Sequence, residues 1–172
     1  IRMVGVKGNG ILSVVIAYAA LFNGIFNFQS YNALIKFGAE AKERNDLTTY
    51  KIYIKQALLQ DVVTAIIATV FGYLCLDFAT SFMHWDQSIN LFIKLYLMTI
   101  LVNITGSLNA ILRLNNEFQI TGLVSIISNA VKLVLLILVS LVNAPLLYFV
   151  IIEIVALIIQ NLLRIYYAYK SL

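Results

Sequence analysis

Residues 36–55, KFGAEAKERNDLTTYKIYIK, hold eight of the twenty charged residues in this chain of 172 residues. Five of the eight are Lys or Arg, and the long tracts on either side contain very little charge. Basic residues in the short loops of membrane proteins concentrate on the cytoplasmic side. The stretch therefore predicts how the chain threads a membrane.

The overall composition is that of an integral membrane protein. Hydrophobic residues make up 62% of the chain, charged residues 12%, and the mean hydropathy is +0.92. Soluble domains contain about 45–50% apolar and about 25% charged residues. The net charge of +4 is therefore attributed to membrane topology and lipid headgroups, and no nucleic-acid partner is expected. A single cysteine, Cys75, excludes an internal disulfide.

Five apolar segments are long enough to cross a bilayer, which takes about 20 residues in a helix. None of them alternates polar and apolar residues as a barrel strand would. We expect an all-α, polytopic bundle in a single membrane domain, 1–172, with spans at 11–35, 57–78, 89–112, 119–142 and 145–168. Residues 36–56 are predicted to form a cytoplasmic loop, in which 47–56 lies along the interface as an amphipathic helix.

The distribution of Lys and Arg over alternate sides predicts the orientation. Apart from Lys94 and Lys132, which fall within spans, the side opposite the long loop carries only Arg2 and Lys7. The other side carries Lys36, Lys42, Arg44, Lys51, Lys55, Arg113, Arg164 and Lys170. The N-terminal end is therefore expected outside and the C-terminal end in the cytoplasm. Five spans with an external start and no recognisable signal sequence suggest a missing upstream helix, so we expect a fragment of a larger transporter-like protein.

Polar and small residues recur at helical spacing in the predicted spans. They are Asn23, Asn27, Ser30 and Tyr31 in the first; Asp61, Ala65, Ala68, Gly72 and Cys75 in the second; Tyr96, Thr99, Asn103, Gly106 and Ser107 in the third, closed by Arg113; Thr121, Ser125, Ser128, Asn129 and Lys132 in the fourth; and Glu153, Gln160 and Arg164 in the fifth. Two interpretations remain open for these stripes. They are hydrogen-bonded and close-packed contacts between helices, or they line a shared, partly hydrated cavity.

The charged residues inside the spans are the most informative, because placing a charged side chain at the bilayer centre costs several kilocalories per mole of free energy. Lys132 and Glu153 lie at similar predicted depth. They either form a structural ion pair, or Lys132 faces a cavity and attracts an anionic substrate, with Glu153 as its partner or as a proton or cation site. Asp61 and Lys94 are expected near helix ends, with their charged groups snorkelling to the interface.

Catalytic chemistry is not indicated. The sequence offers no Ser–His–Asp pattern and no paired carboxylates at water-accessible positions. His84 has no second ligand nearby and is typical of an interfacial residue beside Trp85. We therefore expect no enzyme activity, no metal site and no cofactor.

Three segments resemble bacterial polysaccharide flippases of the multidrug/oligosaccharidyl-lipid/polysaccharide transporter superfamily. ILSVVIAYAALFNGIFNFQSYNALIKFGAEAKERND (11–46) and QALLQDVVTAII (56–67) are similar to their second span, loop and third span. NAILRLNNEFQITGLVSIISNAVKLVLLILV (109–139) looks like the join between their fourth and fifth spans, in which an Arg precedes a short aromatic-containing turn and a polar-faced helix. The family resemblance covers nearly the whole chain.

The resemblance implies part of the first lobe of a transporter with twelve or more helices in two lobes around a central cavity. Such proteins move undecaprenyl-linked oligosaccharides, such as O-antigen units, across the bacterial inner membrane for lipopolysaccharide or other polysaccharide biosynthesis. Membrane lipids, the lipid-linked glycan and polysaccharide assembly proteins would be the partners. Candidate cavity residues are Lys132, Arg113, Glu153, Asn103, Asn129, Ser125 and Gln160. A cation-coupled multidrug exporter, with Glu153 as the coupling site, and a membrane scaffold without transport activity remain as alternatives.

Overall fold

The computed structural model describes residues 5–27, 30–142 and 144–172, and within these residues the secondary structure consists of helices, without strands. Eight helices are described there. They are α1 (Gly5–Ile25), α2 (Ser30–Glu43), α3 (Leu47–Leu74), α4 (Leu76–Met83), α5 (Ser88–Val102), α6 (Thr105–Leu114), α7 (Phe118–Leu141) and α8 (Leu146–Lys170).

Five helical segments among the described residues are long and apolar enough to span a membrane. They are Lys7–Ile25, Leu47–Leu74, Ser88–Leu114, Phe118–Leu141 and Leu146–Lys170. The prediction of an all-α, polytopic bundle with five spans is confirmed, and the protein is a multi-pass membrane protein.

The first span differs from the predicted continuous helix over 11–35. Helix α1 ends at Ile25 and a second helix, α2, begins at Ser30. Asn23, Gly24 and Asn27 surround this end, and Asn and Gly are poor formers of a helix interior. Residues 28 and 29 lie outside the described part of the chain.

The predicted cytoplasmic loop 36–56 is mostly helical. Helix α2 continues to Glu43, and only Arg44, Asn45 and Asp46 separate it from α3. Asn45 takes up a left-handed conformation with φ 55°, which Asn tolerates better than most residues. Residues 47–56 are the first turns of α3 and not a separate interfacial helix, because their helical pattern continues without a breaker into the second span.

Asp46 caps the N-terminus of α3. Its carboxylate accepts hydrogen bonds from the backbone N–H of Thr49 at 3.0 Å and from the Thr49 hydroxyl at 2.6 Å. These bonds, led by that from the side chain of Thr49, hold the pKa of Asp46 below its ordinary value. The stability that the cap contributes is complete above the ordinary pKa of an aspartate and is lost as the pH falls through the lowered value.

The third span also contains a break. Asn103 and Ile104 leave the helical conformation, with ψ angles of 53° and 67°. The Ile104 N–H bonds to the carbonyl of Val102 at 2.9 Å, which is the hydrogen bond of an inverse γ-turn. Helix α6 then begins at Thr105. The prediction of one continuous helix over 89–112 was wrong at this point.

The remaining boundaries are close to those expected. The second span ends at Leu74, earlier than the predicted 78, and the short helix α4 follows Cys75. Helix α7 matches the predicted span 119–142 closely. Helix α8 begins directly after Pro145, which is its N-cap residue, and extends two residues beyond the predicted end at 168.

The two interrupted spans run side by side in the same direction. Helix α1 packs against α5, and α2 packs against α6, while α3 contacts all four of these helices. Contacts of α5 and α6 with α8 put the third span between α3 and α8, and α7 packs against α8 and α6. The breaks in the two spans are therefore neighbours beside the middle of α3.

One end of the bundle, here called the basic end, gathers the α2–α3 turn, the α6–α7 turn and residue 172. The Lys42 Nζ donates to the Leu114 carbonyl at 2.9 Å and to Asn115 Oδ1 at 2.6 Å. The Asn115 amide in turn donates to the Ser171 carbonyl at 3.0 Å. The loops that the charge count places on one side thus meet in space.

The buried apolar residues form two clusters separated along the bundle. The first lies away from the basic end and includes Val15, Ala68, Leu76, Ile93, Leu97 and Val150. The second lies towards the basic end and includes Leu34, Ile54, Leu108, Ile111, Leu112 and Ala168. The helix breaks and Asp61 lie between these clusters.

Small residues on α3 allow close helix packing, as the sequence pattern predicted. Ala65, Ala68 and Gly72 are buried, and the Tyr18 hydroxyl donates to the Gly72 carbonyl at 2.8 Å. A Cβ at Gly72 would lie 2.8 Å from Cδ2 of Leu97, which is completely buried. The absence of a side chain at Gly72 therefore leaves room for Leu97 between α3 and α5.

Replacing Gly72 with valine is expected to destabilise the protein by about 1–3 kcal/mol, the usual effect of overpacking a well-packed core. Thermal unfolding of the detergent-solubilised protein measures the loss. Gly122→Val is the matched control because a Cβ at Gly122 meets nothing within 4 Å. Equal melting temperatures for the two variants would contradict the close packing at Gly72.

Candidate functional site

Asp61 lies at the level where both neighbouring spans are interrupted. Its Oδ1 accepts a hydrogen bond from the hydroxyl of Ser30, the first residue of α2. Its Oδ2 accepts from the backbone N–H of Ser107 at 2.8 Å and from the Ser107 hydroxyl at 2.7 Å. A single carboxylate thus bonds to the first turns of two helices, α2 and α6, whose N-terminal ends carry partial positive charge.

Gly106 makes this approach possible. A Cβ at Gly106 would lie 2.7 Å from the Ser30 hydroxyl oxygen and 3.3 Å from Asp61 Oδ2. Any side chain at position 106 would therefore displace the Ser30 hydroxyl or the Asp61 carboxylate. The prediction placed Gly106 and Ser107 on a polar stripe, and their contact with Asp61 explains why that stripe faces the protein interior.

The predicted snorkelling of Asp61 is wrong. Asp61 lies about 20 Å from either end of α3 at 1.5 Å per residue, because α3 begins ten residues earlier than expected, at Leu47. Its carboxylate is held by Ser30 and Ser107 instead of reaching an interface. Lys94, by contrast, is exposed and lies in the second turn of α5, near the end of the bundle opposite the basic end.

A small polar cavity adjoins this carboxylate. It has a volume of about 30 Å³, and a cavity needs about 10–15 Å³ to hold one water molecule. Its polar lining comes from both breaks and from α3: Asn23, Asn27, Asp61, Thr64, Asn103 and Thr105. Asn103, a candidate from the sequence, is therefore placed beside the α5–α6 break.

The structure brings Lys132 and Glu153 together. The Lys132 Nζ lies 2.7 Å from Glu153 Oε2, and the two side chains are 30% and 10% exposed. The similar depth inferred from the sequence thus corresponds to a direct ion pair between α7 and α8. This geometry matches the structural alternative of the prediction and gives Lys132 a partner within the protein.

Ser125 and Gln160 also meet between α7 and α8. The Gln160 amide donates to the Ser125 hydroxyl at 3.1 Å, and that hydroxyl donates to the Thr121 carbonyl at 3.0 Å. The Asn129 side chain is exposed and lies apart from this seam. Two of the predicted cavity residues therefore act as contacts between helices, whereas Asn129 does not join them.

Arg113 borders an open cleft of about 690 Å³ between α2, α6 and α7. Its guanidinium donates to the Tyr31 hydroxyl at 2.7 Å. Within the described residues, ion pairs are found at Arg44–Glu40 and Lys132–Glu153, so Arg113 has no carboxylate partner there. The other residues that line the cleft are Asn109, Asn116, Phe118 and Thr121.

Several polar residues of these sites did not stand out in the sequence. The Asn109 Oδ1 is buried and has no hydrogen-bond partner in the described part of the chain. Asn161 is completely buried, and its amide donates to the Leu157 carbonyl within α8 at 2.9 Å. Tyr31 lies one helical turn after Asn27, and Asn109 lies one turn before Arg113. Spacing within one helix could not show, however, that Tyr31 on α2 meets Arg113 on α6.

The fold and these polar sites define a multi-pass helical membrane protein with an intramembrane carboxylate and an intramembrane ion pair. No known protein family, curated protein sequence or solved structure matches the chain.

Proposed function

We propose that this protein takes part in flippase-type transport of lipid-linked oligosaccharides across the bacterial inner membrane, as the resemblance of residues 11–46, 56–67 and 109–139 implies. The observation that supports the proposal is the cleft at Arg113. It combines a guanidinium without a carboxylate partner in the described residues, amide groups and aromatic rings, which suit a diphosphate beside sugars.

The position of the cleft fits a substrate that enters from the cytoplasmic leaflet. Arg113 lies in the last turn of α6, at the basic end, which the positive-inside rule assigns to the cytoplasm. The N-terminal end of the chain would then be outside. A volume of about 690 Å³ is within the range of small-molecule sites, about 300–1,000 Å³. The glycan would lie in the cleft while the polyprenyl chain stays among the lipids.

The mechanism of such transport would be a rocking motion between two lobes and requires no covalent step. In this proposal Arg113 binds the diphosphate, and Asn109 and Thr121 hydrogen-bond the adjoining sugar. Lys132 has a positioning role, since its ammonium group is already paired with Glu153. The same ion pair argues against Glu153 as a free coupling carboxylate in a multidrug exporter.

Arg113→Ala is expected to weaken the binding of a polyprenyl-diphosphate oligosaccharide about 10–100-fold, because a hydrogen bond to a charged group contributes about 1.5–3 kcal/mol. The measurement is a titration of the purified protein in lipid nanodiscs with a fluorescent lipid-linked oligosaccharide. The same lipid without diphosphate reports non-specific partitioning.

Arg44→Ala is the matched control for this titration. Arg44 is also at the basic end, but it is exposed in the α2–α3 turn and paired with Glu40 at 2.6 Å. Loss of one basic residue from the end of the bundle is thus common to both variants. Equal affinities for the wild-type protein, Arg113→Ala and Arg44→Ala would contradict the proposed role of the cleft.

A further inference from the structure

The break between α1 and α2 and the break between α5 and α6 create an unusual electrostatic environment around Asp61. The C-terminal ends of α1 and α5 approach the same level as the N-terminal ends of α2 and α6. Each helix end carries roughly half an elementary charge, positive at the N-terminus and negative at the C-terminus. The four ends roughly cancel, so about one negative charge, that of Asp61, remains at this level.

The groups around the small cavity are suited to a cation. Asp61 supplies a carboxylate, Thr64 a hydroxyl, and Asn23 and Asn103 amide oxygens. The Asn23 and Asn103 side chains make no hydrogen bond to the part of the chain that the structure describes. The last carbonyls of a helix lack partners within that helix, and at these ends those of Phe22, Ile100 and Val102 accept hydrogen bonds from the residues that follow.

The number of charged ligands distinguishes monovalent from divalent ions. Among the described residues no group of three or more His, Cys, Asp or Glu side chains could hold a metal ion. A divalent cation generally binds through more than one carboxylate or through phosphate. In several transporters the C-terminal ends of interrupted membrane helices help to coordinate sodium.

We propose that this cavity is a sodium site, with Asp61, Asn103, Asn23 and Thr64 as side-chain ligands. Sodium would connect the ends of α1 and α5 to α3, while Ser30 and Ser107 hold the carboxylate from the side of α2 and α6. The volume of about 30 Å³ accommodates one small ion. The inference does not depend on the proposed transport of glycans, because ion binding can be measured without a transported substrate.

The experiment compares the thermal stability of the purified protein in NaCl, KCl and choline chloride at constant ionic strength and pH. A bound ion stabilises the folded state by mass action, so sodium at ten times its Kd is expected to raise Tm by about 3–5 °C. Binding of radioactive sodium by the same preparations gives the stoichiometry directly, with one ion expected per chain.

Three variants make the assignment specific. Asp61→Asn is expected to abolish the sodium-dependent rise in Tm. Asn103→Ala leaves the bonds of Asp61 to Ser30 and Ser107 intact and is expected to raise the sodium midpoint about tenfold, the effect of losing about 1.4 kcal/mol of binding. Asp77→Asn removes an equal charge from an exposed position on α4 and is expected to retain the full response.

Each outcome decides the proposal. A sodium-selective rise in Tm that is lost in Asp61→Asn, weakened in Asn103→Ala and kept in Asp77→Asn supports the site. Equal effects of the three salts overturn it, since they would reflect ionic strength alone. A response that is unchanged in Asn103→Ala also overturns it, and this variant decides the question if Asp61→Asn does not fold.

Discussion

Replacing Asp61 with alanine is expected to lower the free energy of unfolding by about 3–5 kcal/mol. Three donors lose their acceptor in this variant: the Ser30 hydroxyl, the Ser107 N–H and the Ser107 hydroxyl. An unsatisfied buried donor costs about 1–3 kcal/mol, and loss of a helix N-cap costs about 0.5–2 kcal/mol. The adjoining cavity admits water, which keeps the total below the sum of these values.

Thermal and denaturant unfolding in detergent measure this loss. The variants Asp61→Asn and Asp77→Ala are measured in the same way for comparison. The asparagine variant keeps one oxygen as an acceptor for Ser107 and is expected to lose less stability than Asp61→Ala. Asp77 is exposed, so its replacement is expected to stay within about 0.5 kcal/mol of the wild-type protein. If Asp61→Ala also stayed within about 0.5 kcal/mol of the wild-type protein, the hydrogen bonds of this carboxylate would not stabilise the fold.

The second large effect is expected at the Lys132–Glu153 pair. Glu153→Ala leaves the Lys132 ammonium without its partner at membrane depth. Removing one member of a buried pair costs about 3–5 kcal/mol, and an unpaired Lys near a helix centre costs about 2.5–3.5 kcal/mol on insertion scales. Because the Lys132 side chain is 30% exposed, we expect a value near the lower end, about 3 kcal/mol.

A double variant separates pairing from packing. Lys132→Met combined with Glu153→Leu removes both charges with little change in volume and is expected to retain stability close to that of the wild-type protein. Glu40→Ala, which breaks the exposed Arg44–Glu40 pair, is the control and is expected to lose less than about 1 kcal/mol. If Glu153→Ala were no less stable than the double variant, the ion pair would have no structural importance.

Long apolar segments made the five spans predictable from the sequence. Each segment exceeds the length that a bilayer requires, and this signal is local in the chain. The depth comparison also anticipated that Lys132 and Glu153 lie at one level, because helix geometry fixes depth from residue number. The seam between α7 and α8 was visible for the same reason, since Ser125 and Gln160 fall on polar stripes.

The helix breaks and the position of Asp61 could not be read from composition. Polar residues do mark both breaks, Asn23 and Asn27 in the first span and Asn103 in the third, but they also fit polar faces of continuous helices, so the interruptions were not predicted. The hydrogen bonds at the depth of the two breaks join Asp61 to Ser30 and to Ser107, which are 31 and 46 residues away in the chain. Such non-local contacts become visible only when α2 and α6 are placed side by side.

The common depth of the two interruptions has a mechanical consequence. Helices α3 and α8 lie on either side of the α5–α6 span and pass that depth without a break. These two continuous helices therefore provide most of the resistance to bending of the bundle at that depth. The half of the bundle around Leu34 and Ile111 can therefore tilt against the half around Val15 and Leu97 only if α3 and α8 bend as well. The Asp61 carboxylate lies at this depth and bonds to both interrupted spans, so bending there would change its hydrogen bonds to Ser30 and Ser107.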